Sequence, residues 1–406
     1  MDQAPGNATW RRIGPKPVQA VAPDAIARAF DAPELGALLP ASGGGPLVVV
    51  NDPTRSTATC ATLDHLADWL SERSRGGAVD LLVATGTHRF DARARADHEA
   101  WLRGSRARIG AIAWHDARAT DGVSLDGRSF DAVLARATHV LAIGSVEPHY
   151  FAGVTGPHKT LTVGCLSHAD IEHNHAHALS VGVAPLALEG NPVHQDCAAA
   201  LAVLGRGRVL RTVSHVAVGG RVLAAAAGDP LAVTLALAAT ARDVFEHVVD
   251  RPVDVAWLRV PSPLGQSLYQ ADKAIKNHEH VVRDGGAILL EAGCDQGVGP
   301  DAFLRLLRGT TSHAALLEAI ARDGYRLGDH KAALLRRLLD PAVRGVRLAV
   351  ASPHLDARAL EGTGIGVFAD PEQALAWLEA GQGSLARRLC VDDAAMTIST
   401  LASRTR

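Results

Sequence analysis

Short apolar, β-branched runs recur along the chain at 47–50, 81–83, 140–143, 255–258, 287–290 and 348–350. Runs unbroken by polar positions are how strands read when both faces of a sheet are covered. Between them, apolar positions recur at helical spacing over 57–74, 191–204 and 314–321. Asn191 offers an N-cap side chain, and Pro192 brings the preset φ of a first helical position. Strand alternating with helix predicts an α/β fold with mainly parallel sheets. The helical pattern over 230–247 stops before Pro252, where a new strand begins, so two α/β domains are expected, 1–250 and 251–406. Gly43, Gly44 and Gly45 form a turn before the first strand.

Composition narrows the class of protein. With 406 residues, 47% hydrophobic, 21% charged and a net charge of -2, the chain reads as globular. Nothing in that balance draws it to nucleic acid or an anionic membrane. The most apolar stretch, 231–241, is about half of the roughly 20 residues a membrane helix needs, and Arg242 and Asp243 close it. Residues 1–17 lack the apolar run of a secretory signal. The five cysteines (Cys60, Cys165, Cys197, Cys294, Cys390) are odd in number and widely spaced. They read as reduced thiols, and a cytoplasmic location is expected. Only five of the 41 basic residues are lysines: Lys16, Lys159, Lys273, Lys276 and Lys331. A chain that uses arginine for plain positive charge gives its lysines more weight, because an amine can lose its proton and attack whereas a guanidinium cannot.

Open α/β sheets bind ligands beyond the carboxyl ends of their strands, and that is where the unusual residues gather. The first strand runs into Asn51-Asp52-Pro53-Thr54-Arg55-Ser56-Thr57, a polar loop opening a helix whose N–H groups suit an anion. Arg55 adds a bidentate donor; the plain alternative is that Asp52 and Thr54 cap the helix. The second strand leads to Gly86, suited to a tight turn, and to His88. The third ends in a segment from Gly144 to Thr160 that nearly spells a phosphate-binding loop. Gly153 and Lys159-Thr160 have the spacing, but His158 replaces the required glycine and His149 with an aromatic pair intervenes. His168, His173, His175 and His177 crowd together downstream, and imidazole ligates zinc or nickel. On an extended chain 173, 175 and 177 would point the same way. Beyond 251, Lys273 and Lys276 read as an ordinary solvated helix start. His330, beside Lys331, is expected either in a cleft or in water.

Taken together these motifs resemble the lactate racemase family. The likeness rests on Asp52-Pro53-Thr54-Arg55, Gly86-Thr87-His88-Arg89, the run from Glu147 to Gly153 with Lys159 ten residues beyond His149, Asn174-His175, and Tyr269-Gln270-Ala271-Asp272-Lys273. Thr155-Gly156-Pro157 stands where the family usually has Ser-Gly-Gly, and Pro53 where histidine is common. The resemblance implies a racemase or epimerase of a 2-hydroxy acid whose cofactor is a nickel-pincer nucleotide. The active-site cleft would lie between the domains, with cofactor and acid/base residues on 1–250 and substrate-binding residues on 251–406.

By the same resemblance, Lys159 would link the cofactor covalently and His175 would ligate nickel. Asp52, Pro53, Thr54 and Arg55 would hold the cofactor, His88 and His149 would be the paired acid/bases, and Arg55, Tyr269, Gln270 and Lys273 would bind substrate. Hydride would pass reversibly from substrate C2 to the pyridinium, through a planar 2-keto acid. Cofactor-synthesis proteins are the implied maturation partners. Two other classes compete: a P-loop-like phosphotransferase or ATPase built on Gly153–Thr160, and a non-catalytic nickel-binding protein using His168 to His177. A nicotinamide dehydrogenase is disfavoured, since no GxGxxG follows a strand.

Overall fold

The computed structural model describes residues 10–16, 24–41, 44–55, 57–380 and 385–402. Gly43, Ser56 and residues 1–9 and 17, on which parts of the sequence reading fall, lie outside them. The chain divides into two compact units, Pro17–Asp243 and Met1–Lys16 with Val244–Arg406. The expected division after 250 differs from this at both ends. The helix Pro230–Phe245 stops two residues early, because Glu246–Val249 pairs as a parallel strand with Ile398–Leu401. The strand Trp10–Ile13 adds to the sheet of the later unit, pairing in parallel with Arg388–Val391.

In the unit Pro17–Asp243 the sheet order is Arg221–Gly228, Val209–Val218, His139–Ser145, Leu47–Asn51, Val79–Ala84, Ile109–Trp114. All neighbours are parallel except the hairpin of the first two. The chain moves outward from Leu47–Asn51 through Val79–Ala84 to Ile109–Trp114, then returns to place His139–Ser145 on the other side of Leu47–Asn51. The order reverses between those two central strands, and such a switch point opens a crevice at the strands' carboxyl ends. Val48 and Val50 are fully buried against Leu63 and Leu66 of the helix Thr59–Glu72. That apolar stripe fixes the helix over the sheet and leaves its N-terminus at the crevice.

The later unit has a sheet of six parallel strands, in the order Trp10–Ile13, Arg388–Val391, Val253–Val260, Val282–Ala292, Arg347–Ala351, Gly366–Phe368. Val255, Leu289 and Ala349 pack beneath Ala374 and Leu378 of the helix Pro371–Glu379. No helix among the described residues is long and apolar enough to cross a membrane. All five cysteines are free thiols.

Candidate active site

Three loops leave the carboxyl ends of the central strands of the unit Pro17–Asp243, and each carries residues singled out by sequence. After Leu47–Asn51, Asp52 is buried; its Oδ1 accepts the Thr54 N–H at 2.9 Å and the Thr54 hydroxyl at 2.6 Å. Asp52 Oδ2 lies 2.8 Å from His88 Nδ1, which follows the next strand across the turn at Gly86 (φ +55). Burial pushes the Asp52 carboxyl up, but its bonds to His88 and Thr54 and the nearby Arg55 charge outweigh this and hold it below the usual carboxylate range. Asp52 therefore stays an anion and fixes the proton of His88 on Nδ1, leaving Nε2 as the basic nitrogen. The plain capping role is not what the structure shows: Ala58 is the N-cap of the helix Thr59–Glu72, without a side-chain capping bond.

The third loop carries the amine. Lys159 sits on the short helix Pro157–Leu161, with Nζ 2.9 Å from His149 Nε2. His149 Nδ1 accepts the Ala152 N–H at 3.3 Å. A neutral imidazole whose Nδ1 accepts must carry its proton on Nε2, so the lysine nitrogen facing it offers a lone pair. Electrostatics agree: burial, then the Arg55 charge, pull the Lys159 amine down to about 7, with Cys197 opposing. The loop is held to the sheet by Asn51 Nδ2, which donates to Thr160 Oγ1 at 3.2 Å. Gly164 allows this close approach, because a Cβ there would lie 2.3 Å from the Thr160 carbonyl and 2.9 Å from Ala84. The same contacts differ from those of a phosphate-binding loop. Thr160 Oγ1 is bonded to Asn51 and to the Gly156 carbonyl, whereas a P-loop keeps that hydroxyl for magnesium.

Arg55 joins the loops, with its guanidinium 3.6 Å from Glu147 Oε2. Glu147 is buried and accepts the Ser145 hydroxyl at 2.5 Å. Sequence reading gave Glu147 no role, although it stands two residues before His149. His215 was also missed: it is fully buried, and its Nε2 accepts the Ala58 N–H at 3.0 Å. Burial pulls its imidazole down to about 4, so it is a neutral cap for the helix N-terminus beside Arg55. No motif marks this residue; only the register of Val209–Val218 brings it alongside Ser145.

The histidine cluster is helical rather than extended. His168–Ala176 is an α-helix with Ser167 as its cap, so residues two apart cannot share a face. His175 packs edge-on against Phe151, with ring centroids 4.8 Å apart, and Phe151 lies 5.1 Å from Lys159 Nζ. His173 and His177, four residues apart, meet each other instead, at 5.1 Å between centroids.

In the later unit, Tyr269, Gln270 and Lys273 stand on the helix Leu268–His278, with Ser267 capping at the Gln270 N–H. Gln270 and Lys273 are one turn apart and partly exposed. Lys276 departs from the solvated start expected of it: it is buried, with Asp272 at 3.9 Å and Glu279 at 3.5 Å. His330 does not face water either, being buried with Nδ1 2.7 Å from the Tyr325 hydroxyl. Lys331 donates to the Tyr269 carbonyl at 2.8 Å and lies 3.3 Å from Asp272, which anchors the start of the helix.

Asp52→Asn keeps the size of the side chain but removes the anion that orients His88. Turnover is expected to fall roughly 10- to 100-fold, the usual loss when an orienting partner is removed. Steady-state kinetics checks this, with the unfolding midpoint as the control for folding.

A switch point that gathers a buried amine lowered to about 7, a histidine oriented by a carboxylate, and an arginine lies where open α/β sheets bind their ligands. The chain belongs to the lactate racemase family. Residues 16–184 match the lactate racemase N-terminal domain and residues 259–339 the lactate racemase C-terminal domain, together more than half of the chain. A lactate racemase of Thermoanaerobacterium thermosaccharolyticum is 26% identical over 320 residues, 72% of this chain and 71% of that protein. One from Lactiplantibacillus plantarum is 24% identical over 277 residues, 63% of this chain and 62% of that protein. The fold is that of the T. thermosaccharolyticum lactate racemase apoprotein, at a TM-score of 0.79 with 21% identity, covering 93% of this chain and 92% of that one. A protein from Thermotoga maritima shares it at a TM-score of 0.72 with 16% identity, covering 93% and 97%.

Proposed function

We propose that this chain is a racemase or epimerase of a 2-hydroxy acid that works with a nickel-pincer nucleotide. The observation that carries the reading is the Lys159 amine, held against His149 and poised near neutrality. Covalent attachment through an amide or thioamide needs an uncharged amine, and this one is uncharged in a large fraction of molecules at pH 7. The rest of the donor set fits the group. His175 gives a borderline-soft imidazole beside Phe151, on the loop side of its helix, and Arg55 with Asp52 and Thr54 gives charge and hydrogen bonds for its polar parts. When bound, the cofactor supplies the hydride acceptor and donor.

The protein's own residues handle the protons and the substrate's charge. His88, with its proton fixed on Nδ1 by Asp52, presents Nε2 to take or return the substrate hydroxyl proton. His149 is the second acid/base, needed because the two stereoisomers present that hydroxyl from opposite sides. Arg55, Tyr269, Gln270 and Lys273 are assigned to the substrate, since a carboxylate in a dry site must be paired with a cation or with donors. Cofactor-synthesis proteins are the partners this scheme requires.

The test is co-expression with cofactor-synthesis enzymes, followed by intact-protein mass, nickel content and chiral chromatography over a panel of 2-hydroxy acids including lactate. A mass adduct on Lys159, nickel near one per chain and interconversion of one panel member are expected. Loaded protein that racemises none of them would reject the catalytic reading.

A further inference from the structure

The helix His168–Ala176 carries histidines on two sides, and the side away from Phe151 has chemistry of its own. His173 on that helix and His177, its C-cap and the start of the 3-10 turn His177–Leu179, come together beside Asp196 on the helix Pro192–Leu204. One ligand atom from each of the three residues lies within 4.8 Å of the other two, and His173 Nε2 is 3.8 Å from Asp196 Oδ1. Two imidazoles at i and i+4 with a carboxylate opposite form the donor set that late first-row divalent cations take, with water completing the shell.

We propose that His173, His177 and Asp196 bind one nickel or zinc ion, at a site separate from the cluster around Lys159. The carboxylate is already oriented for this role. Asn174 Nδ2 donates to Asp196 Oδ2 at 2.9 Å, and Arg128 pairs with Oδ1. Outer-shell bonds of this kind fix a ligating oxygen without using all its lone pairs. Arg128 also faces Asp170 at 3.8 Å, so its charge is shared between two carboxylates rather than directed at the ion. His173 is largely exposed, which gives an entry path from solvent, while the Asp196 side chain is only 9% exposed. The bound ion would tie the helix that carries His175 to the helix Pro192–Leu204. The inference rests on these residues alone and not on the racemase reading.

Equilibrium dialysis of the full chain, expressed without cofactor-synthesis enzymes, against nickel, zinc and magnesium tests it. The expected result is about one equivalent of nickel or zinc and no retained magnesium. His173→Ala and His177→Ala each weaken binding on the order of 30-fold or more, while His168→Ala, at the start of the same helix, leaves it unchanged. A ligand binding the folded state at about 100 times its Kd stabilises it enough to raise the unfolding midpoint by about 5 °C or more. That rise should vanish in the same two variants. Both replace partly exposed side chains, and their metal-free midpoints serve as the folding control. No binding at micromolar metal, or binding kept in full in both His173→Ala and His177→Ala, overturns the site.

Discussion

Lys159→Ala, co-expressed with the cofactor-synthesis enzymes, is expected to show no mass adduct and to lose racemisation by about 10⁴-fold or more, the scale of removing a nucleophile. Lys159→Arg should fail equally, because a guanidinium keeps the charge but cannot attack. Intact-protein mass spectrometry and chiral chromatography on the same preparations check both. The amine's titration gives an independent readout. Burial and Arg55 bring it to about 7 in the folded chain, against an ordinary value of 10.5. Amine acylation at this position should therefore rise through pH 7, well below the range where an exposed lysine begins to react. The sign for stability follows from proton binding. Between about 7 and 10.5 the unfolded chain holds a proton on this nitrogen that the folded chain has released, so stability increases with pH across that window. The penalty is complete below it. Lys159→Met should raise the unfolding midpoint most at pH 6 and lose that advantage as the pH approaches 10.

Replacing His88 or His149, the proposed acid/base pair, with alanine is the second large effect expected. Positioned general acids and bases contribute about 10²–10⁴-fold, and His88→Ala and His149→Ala should each fall within that range. Both directions of an enantiomer interconversion must slow together, because the equilibrium constant is one. On the proposed hydride route a substrate deuterated at C2 should keep its label through many turnovers, because the hydrogen never becomes an exchangeable proton. His88→Ala within threefold of the parent would end the two-base scheme, whereas deuterium washout would end hydride transfer.

The strands that build both sheet centres were legible because burial on two faces leaves runs such as 47–50 and 287–290 with no polar interruption. Edge strands were not. Ile109–Trp114 is only half-buried and contains a glycine and two alanines, and Trp10–Ile13 is half arginine. The hairpin Val209–Val218 and Arg221–Gly228 is rich in small residues and turns at Gly219 and Gly220, both at positive φ. The site divided along the same line. Asp52 and His88 come soon after the strands Leu47–Asn51 and Val79–Ala84, and His149 and Lys159 lie in the segment after His139–Ser145, so the motifs there drew attention to them. The pairing of His88 with Asp52 depends on Leu47–Asn51 and Val79–Ala84 lying side by side, and that of Lys159 with His149 on how one loop folds back on itself, neither of which spacing along the chain encodes. His215 and Asp196 reach their partners only through register and helix packing, and no local pattern announces either. The histidine cluster was misjudged because an extended chain aligns alternate residues, whereas the Ser167 cap starts a helix that separates them.

The pairing of Trp10 with Arg388 has a consequence for biosynthesis. The outermost strand of the later sheet precedes Pro17–Asp243 in the chain, and that strand's neighbour follows it by more than a hundred residues. The chain through Asp243 can be made before the other sheet closes, since that sheet needs Arg388–Val391. A fragment cut at 251 would be born with the Arg388–Val391 edge unpaired, an open template for other chains.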